Sequence, residues 1–249
     1  MEILIGATPC ISLRIETYIL TWNREDTIHL TLKHYLAMGP VKLYDNFSDD
    51  RTREIAESMG ADVRLFGRAG VLDDGVYLDI KNHEWKKSKA DWVIVVDDDE
   101  IFGHIAHLYD KRDYTIIKPQ GFSVFSNEMP KEDWLELQTG VEDNNYSKLC
   151  CFRPDRITDI NYVYGCHEAR PKGDVNICTD SHMVLMHYRA VGGVERLIKR
   201  HQEYEPRRQL SPVNMRWNLG GHYKETVDHP EKTREWFNEN LALSKRLGR

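Results

Sequence analysis

Trp92-Val93-Ile94-Val95-Val96-Asp97-Asp98-Asp99-Glu100 is the stretch on which the reading of this chain turns. WVIVV sets four β-branched residues in a row with no polar alternation, the pattern of a strand buried on both faces. Such strands belong to parallel sheets covered by helices on both sides. Ligands of those sheets sit outside the carboxyl ends of the strands. The acids that follow Val96 therefore stand where a ligand is expected.

The preceding segments supply the rest of that sheet. Tyr18 to Trp22 (YILTW) reads as a first strand. A helix follows, with Asn23 and Asp26 as a capping pair, Ile28, Leu32, Tyr35 and Leu36 at helical spacing, and Gly39 closing it in the left-handed conformation. Val41 to Asn46 is a second strand, Ser48 to Gly60 a helix capped by Ser48, and Asp62 to Phe66 a third strand. Asp74 to about Lys89 forms another helix, carrying Ile80 and Trp85. The β-α-β-α-β-α-β order predicts an α/β fold with a mostly parallel central sheet and helices on both faces. One rim then collects Thr21-Trp22-Asn23, Asp45-Asn46, Phe66-Gly67 and Asp97-Asp98-Asp99.

The second half is less regular. Tyr114 to Lys118, Lys148 to Phe152 and His182 to Tyr188 read as strands. Gly193 to Tyr204 reads as a helix, and a last helix opens at Asp228-His229-Pro230 and runs to Leu247. No linker interrupts the 249 residues, so the chain is expected to be a single domain. A formal net charge of −6 argues against a dedicated nucleic-acid binder, whose footprint is a basic face. The five cysteines, Cys10, Cys150, Cys151, Cys166 and Cys178, are odd in number and lack C-x-x-C spacing, so neither a zinc ribbon nor a disulfide framework is indicated. With no signal-peptide pattern and no apolar run approaching the roughly 18 residues of a membrane span, a cytoplasmic protein is expected.

Three adjacent carboxylates repel one another, and burial near a strand end makes this worse. Mg²⁺ or Mn²⁺, shared between one or two carboxylates and substrate phosphates, removes the problem. In an extended segment Asp97 and Asp99 face the same way, so one can hold a metal while the other reaches the metal or a ribose hydroxyl. The competing reading, a solvated acidic turn, is disfavoured by the apolar strand in front of it. Asp45 and Asn46 offer a carboxylate and an amide to a nucleobase edge, while Ser48 and Asp49 can cap the next helix. The two readings use different residues.

YILTWNREDTIHLTLKHYLAMG, KLYDNFSDDRT and DWVIVVDDDE, in this order over residues 14 to 102, resemble the nucleotide-binding half of the family 2 glycosyltransferases of GT-A fold. The resemblance implies a nucleotide-sugar donor with a divalent metal, Mn²⁺ or Mg²⁺, on its diphosphate. By the same resemblance the acid trio Asp97-Asp98-Asp99 binds the sugar nucleotide and its metal. Asp97 reaches the ribose or metal, Asp99 the metal and Asp45 the base. Thr21 stands on the same rim, Asn23 and Glu25 flank the base, and Lys81 reaches phosphate. About 14–102 would be the nucleotide-sugar half and about 103–249 the acceptor half with the C-terminal helices.

Past residue 102 the resemblance thins. A catalytic base is expected after the Lys148–Phe152 strand, where GCHEARP places His167 and Glu168, with Glu168 preferred. The earlier Val141-Glu142-Asp143 matches a base motif in letters but precedes that strand. His187, late in an apolar strand, is expected as a further metal ligand, since neutral imidazole suits Mn²⁺. Lys199, Arg200, Arg207, Arg208 and Arg216 can neutralise a departing diphosphate or stand as solvated charge. The reading is a metal-dependent transfer of a sugar to an acceptor hydroxyl, with inversion implied by the resemblance. The acceptor is left open among a glycan, a lipid-linked sugar, a protein and a modified nucleic-acid base. A nucleotidyltransferase acting on a sugar phosphate would use the same rim, but GATPC is too poor in glycine for its phosphate loop. An inactive sugar-nucleotide or glycan-binding module would have little reason to keep the acids together.

Overall fold

The structure, a computed structural model, describes residues 13–179 and 182–246. Cys10, GATPC and Leu247 lie outside the described residues. In chain order the elements are β1 (Ile15–Thr21), α1 (Ile28–Leu36), β2 (Val41–Asp45), α2 (Thr52–Ser58), β3 (Asp62–Leu65), α3 (Asp74–His83), β4 (Trp92–Asp97) and β5 (Glu100–Gly103). Then come β6 (Ile116–Ile117), β7 (Gln120–Ser126), β8 (Thr139–Glu142), β9 (Cys151–Phe152), β10 (Ile157–Asp159), β11 (Lys172–Gly173), β12 (Ile177–Cys178) and β13 (Val184–Val191). The chain ends with α4 (Val194–Gln209), α5 (Pro212–Trp217), α6 (Gly221–Asp228), α7 (Pro230–Leu243) and β14 (Lys245–Arg246).

The central sheet has the order β12-β6-β9-β4-β1-β2-β3. Its β4-β1-β2-β3 part is parallel throughout, and β9 joins β4 antiparallel. The α/β architecture read from the sequence is the observed one. The two-residue side-chain period divides the core between the faces. Ile19, Leu43, Ile94 and Val96 pack with α1, α2 and the second sheet, while Tyr18, Leu20, Tyr44, Val93 and Val95 pack with Trp85 and the apolar face of α3. Every residue from Trp92 to Val96 is buried, as the unbroken apolar run requires.

A second sheet, β14-β8-β7-β13-β5, was legible only at β13. Its β5 begins immediately after the acids and pairs antiparallel with β13, with Glu100 opposite His187 and Ile101 opposite Met186. The backbone thus turns at Asp98-Asp99 and passes from one sheet into the other.

Four local expectations are corrected. Asn23 and Asp26 do not cap α1, whose N-cap Thr27 makes no side-chain cap bond. Gly39 has φ 159°, an extended conformation. It is needed because a Cβ would fall 2.2 Å from the Ile15 carbonyl oxygen. Ser48 does not cap α2; its hydroxyl is turned to the Asp45 carboxylate. The helix from Asp74 stops at His83 and gives way to a 3₁₀ turn, Glu84–Lys87, that drops Trp85 into the core.

Gly121, in β7, is crossed by the 143–147 loop. A Cβ there would meet the Tyr146 carbonyl carbon at 2.3 Å and the Asp143 oxygen at 2.4 Å, both backbone atoms with little freedom to yield. Gly121→Ala should therefore cost about 3 kcal/mol or more in urea denaturation. Gly70→Ala, in open space at φ 73°, should cost only about 1 kcal/mol of backbone strain. Equal losses would mean that the crossing is not tight.

Candidate active site

The turn after β4 is the centre of a cleft of about 470 Å³ at the carboxyl ends of β1 and β4. Parallel pairing sets Leu20 beside Asp97, so the next residue of β1 can reach the turn. Thr21 Oγ1 donates to Asp98 Oδ2 at 2.6 Å. On the other side, the β5–β13 register carries His187 to the acids. Tyr188 N donates to the Asp99 carbonyl at 2.7 Å, and His187 Nε2 lies 3.4 Å from Asp99 Oδ1. His187 is itself stacked on Tyr146, ring centroids 3.9 Å apart.

Each of the four acids has a cationic partner. Lys81, from α3, lies 2.6 Å from Asp97 Oδ1. Arg24, buried in the loop after β1, places Nε 2.8 Å from Asp98 Oδ1 and Nη2 3.0 Å from Asp99 Oδ2. Lys148, in the segment leading to β9, is ion-paired with Glu100, whose other oxygen accepts from Asp97 N at 3.1 Å. Burial disfavours every one of these charges, and the balance differs from group to group. It pushes Asp98 up to about 6 in spite of Arg24. For Asp99, His187 and Arg24 overcome burial and hold the carboxyl well below its usual range. Lys148 and Lys81 likewise overcome it at Glu100, bringing that group down to about 2. Asp97 raises Lys81 above the ordinary lysine range against the opposing pull of burial.

The expectation that Asp97 and Asp99 would face one way and share an ion with His187 assumed an extended chain. Here Asp98 and Asp99 form a turn, which sends Asp97 toward Lys81 and Asp99 toward His187 and Arg24. Among the described residues there is no group of three or more His, Cys, Asp or Glu side chains that could hold a metal ion. The pair Asp99 and His187 still fits part of a shell. Two ligands with bonds of about 2.0–2.1 Å at adjacent positions stand roughly 3 Å apart, close to the separation of Oδ1 and Nε2. That suits an ion whose remaining ligands are water and phosphate oxygens, not a closed protein cage.

The other expected residues divide between the cleft and its supports. Asp45 is fully buried at the end of β2, with Ser48 N donating to Oδ1 at 2.8 Å and the Ser48 hydroxyl to Oδ2. Its neighbour Asn46 lines a side cavity of about 350 Å³ with Phe66, Gly67 and Tyr77. The Asn46 oxygen accepts from Arg207 and its amide donates to the Phe66 carbonyl. Asn23 and Glu25 knit the loop after β1 to the loop before α2. Asn23 N donates to Ser48 Oγ at 2.8 Å, and Glu25 Oε2 accepts from Arg51 N at 3.1 Å. Neither residue lines the cleft.

His167 lines the cleft and Glu168 does not. The His167 Nδ1 is 2.7 Å from the Asn145 carbonyl oxygen. A carbonyl can only accept, so Nδ1 carries the hydrogen and Nε2 keeps its lone pair. Asp143 is occupied elsewhere, accepting from Ser123 Oγ and from Asn145 N. Of the C-terminal cations, Arg200 lines the cleft and donates to the Trp22 and Asn23 carbonyls. Arg207 lies 3.5 Å over the Trp22 ring, its Nε and Nη1 buried without hydrogen-bond partners among the described residues. Arg208 is paired with Glu205, and Arg216 stacks on the exposed Trp217.

Arg24, Lys148, Tyr146 and Arg189 line the cleft and were not singled out from sequence. The available signals were weak: Lys148 is the one charged residue opening the apolar Lys148–Phe152 run, and Arg24 stands two residues past the apolar run that ends at Trp22.

No family model matches the chain, and no curated protein sequence matches it. Among solved structures it is similar to glucosyl-3-phosphoglycerate synthase from Mycobacterium tuberculosis, with 18% identity and a TM-score of 0.34 over 44% of each chain. It is also similar to mannosyl-3-phosphoglycerate synthase from Rubrobacter xylanophilus, with 17% identity and a TM-score of 0.34 over 44% of this chain and 40% of that one. A third is TarS from S. aureus, with 14% identity and a TM-score of 0.46 over 77% of this chain and 39% of that one. The chain thus spans less than half the length of each of these proteins. No helix among the described residues is long and apolar enough to cross a membrane.

Removing one member of a buried ion pair strands the other. Lys148→Met and Glu100→Gln should each lower the unfolding free energy by about 3–5 kcal/mol. The double variant should recover much of that loss, because it buries neither charge. Additive losses in a double-mutant cycle would show that the two side chains do not interact.

Proposed function

We propose that this chain is a metal-dependent glycosyltransferase, moving a sugar from a nucleotide-diphosphate sugar to an acceptor hydroxyl with inversion. The observation that carries the reading is the meeting of Asp99 and His187 at the carboxyl ends of a parallel sheet, in a cleft that opens beside a second cavity. The ordered motifs of the first hundred residues support the same reading.

Asp99 and His187 would hold Mg²⁺ or Mn²⁺, which supplies Lewis-acid stabilisation of the diphosphate. Asp97 stands on the far side of the turn, held by Lys81, which is placed to shift toward phosphate. Arg24 and Thr21 fix Asp98 and keep the turn rigid. The nucleobase fits the side cavity against Asn46, Phe66 and Tyr77, with Asp45 bracing the loop behind it through Ser48. His167, not Glu168, is the proposed base, because its Nε2 is available to the cleft. Nε2 takes the proton of the acceptor hydroxyl, the acceptor oxygen bonds to the anomeric carbon, and the bond from that carbon to the diphosphate breaks. Arg189, next to His222 at 3.1 Å and without a carboxylate in ion-pair distance among the described residues, faces the charge left on the diphosphate. The donor is a nucleotide sugar, and the sugar and acceptor are not specified by these contacts.

Titration calorimetry with a panel of nucleoside diphosphates should show binding with Mn²⁺ that falls at least tenfold when the metal is chelated. Asp99→Ala and His187→Ala should behave as wild type does in chelator. Affinity unchanged by chelation would remove the metal from the mechanism. With a turnover assay in hand, His167→Ala should lose about 10² to 10⁴ in rate and keep nucleotide affinity, and Glu168→Gln should stay near wild type. The reverse order would return the base to Glu168.

A further inference from the structure

Five carboxylates line the cleft: Asp74, Asp97, Asp98, Asp99 and Glu100. The last four are ion-paired, as described above. Asp74 has no cationic partner within ion-pair distance among the described residues, although it is partly buried. It is nevertheless held in place. Asn214, fully buried in α5, donates from Nδ2 to Asp74 Oδ2 at 2.7 Å and accepts the Asp74 backbone N–H at 2.9 Å. The paired bonds fix the amide's orientation and leave Asp74 Oδ1 without a donor among the described residues. Ser211 braces the same corner, donating to Asp73 Oδ2 at 2.9 Å.

Its position is specific. Asp74 begins α3, and Lys81 lies seven residues on, about two turns or 10 Å along the same face. Lys81 reaches the acid turn at Asp97. At the other end, Asp73, Val76 and Tyr77 line the side cavity, while Asp74, Tyr77 and Lys81 line the main cleft. Asp74 therefore stands at the junction of the two spaces, a fixed acceptor with an open oxygen. An acceptor-only group whose nearest cations, Lys81 and Arg208, act on it only from beyond ion-pair distance repels phosphate more than a paired carboxylate does and favours neutral O–H donors. In a nucleoside diphosphate, the part that bears hydroxyls between base and phosphates is the ribose. A carboxylate that accepts from ribose hydroxyls is a recurring device of nucleotide sites.

We propose that Asp74 is a specificity-determining residue that accepts a hydrogen bond from a ribose hydroxyl of the bound nucleotide and selects ribonucleotides over deoxyribonucleotides. This rests on the donor reading given above. Burial raises Asp74 to about 6 against the opposing pull of Lys81 and the Asn214 hydrogen bond, so at neutral pH the group is the charged acceptor that the role needs.

The experiment is calorimetry with Mn²⁺, comparing the best-binding nucleoside diphosphate with its 2′-deoxy and 3′-deoxy forms on wild type and on Asp74→Ala. Wild type should bind at least one deoxy form tenfold or more weakly than the ribo form. Asp74→Ala should weaken the ribo form to the level of that deoxy form and leave the deoxy affinity within about twofold. Asp74→Asn, which keeps the shape beside Asn214, serves if the alanine variant does not fold; Asn214 Nδ2 then takes its amide oxygen and its NH2 replaces the open acceptor, so discrimination should shrink as in the alanine variant. Equal binding of all forms by wild type, or discrimination preserved in full in the variants, overturns the proposal while leaving the donor reading intact. No nucleoside diphosphate binding by wild type overturns both.

Discussion

Four consecutive carboxylates stand in or beside the interior, and the site is organised around keeping them charged there. Taking an ion out of water costs several kcal/mol even after relaxation, and only a close, well-oriented counter-charge repays it. Asp97 uses a lysine from α3, Asp98 and Asp99 share an arginine from the loop after β1, and Glu100 takes a lysine from the approach to β9. The acids thus tie together the helical layer on one face of the sheet, the rim loop and the second half of the chain. Each of the three holds the turn from a different side.

The turn is also where the two sheets meet. Because β4 ends at Asp97 and β5 begins at Glu100, the acids are the joint between a parallel sheet that offers a ligand-binding rim and a second sheet that delivers His187. A one-residue slip of β5 against β13 would move a different residue opposite Glu100 and turn His187 to the other face. The buried Glu100–Lys148 pair opposes such a slip, since it would carry an ionised carboxylate away from its ion-pair partner. Specificity of register is a role for which buried ion pairs are better suited than for raw stability.

How much of this was written plainly in the sequence follows from the range of the forces involved. β4 and the parallel sheet were legible because WVIVV is a local pattern with one burial solution. The rim was legible for the same reason, since it collects the ends of strands. The second sheet was not, because β7 and β8 have mixed burial and are set by partners far along the chain. Alternation of Asp97 and Asp99 requires the strand to run two residues beyond its end at Asp97; the turn is set by Glu100 accepting from Asp97 N and by β13, contacts that the local pattern does not show. Glu168 was preferred to His167 on chemistry alone. The distinction between them is which side chain the 161–170 segment turns into the cleft, a tertiary fact. Arg24 and Lys148 carry no sequence signature beyond their places beside buried strands, yet they bear much of the electrostatic work.

Charge balance in the cleft bears on what it can bind. Among the described residues lining it, Arg24, Lys81, Lys148, Arg189 and Arg200 face Asp74, Asp97, Asp98, Asp99 and Glu100, five formal positive charges against five negative. A diphosphate entering alone would bring uncompensated negative charge into a space of low dielectric already lined by carboxylates, at a cost that phosphate hydrogen bonds do not cover. Two routes lower that cost. Lys81 and Arg24 can leave their carboxylates for phosphate oxygens, which only transfers the deficit to Asp97, Asp98 and Asp99. A divalent cation arriving with the diphosphate supplies new positive charge and relieves both the phosphates and the acid turn. Under the proposed function, the residues around the turn would therefore favour an anion that carries its own counter-ion, and Asp99 and His187 would be its protein ligands.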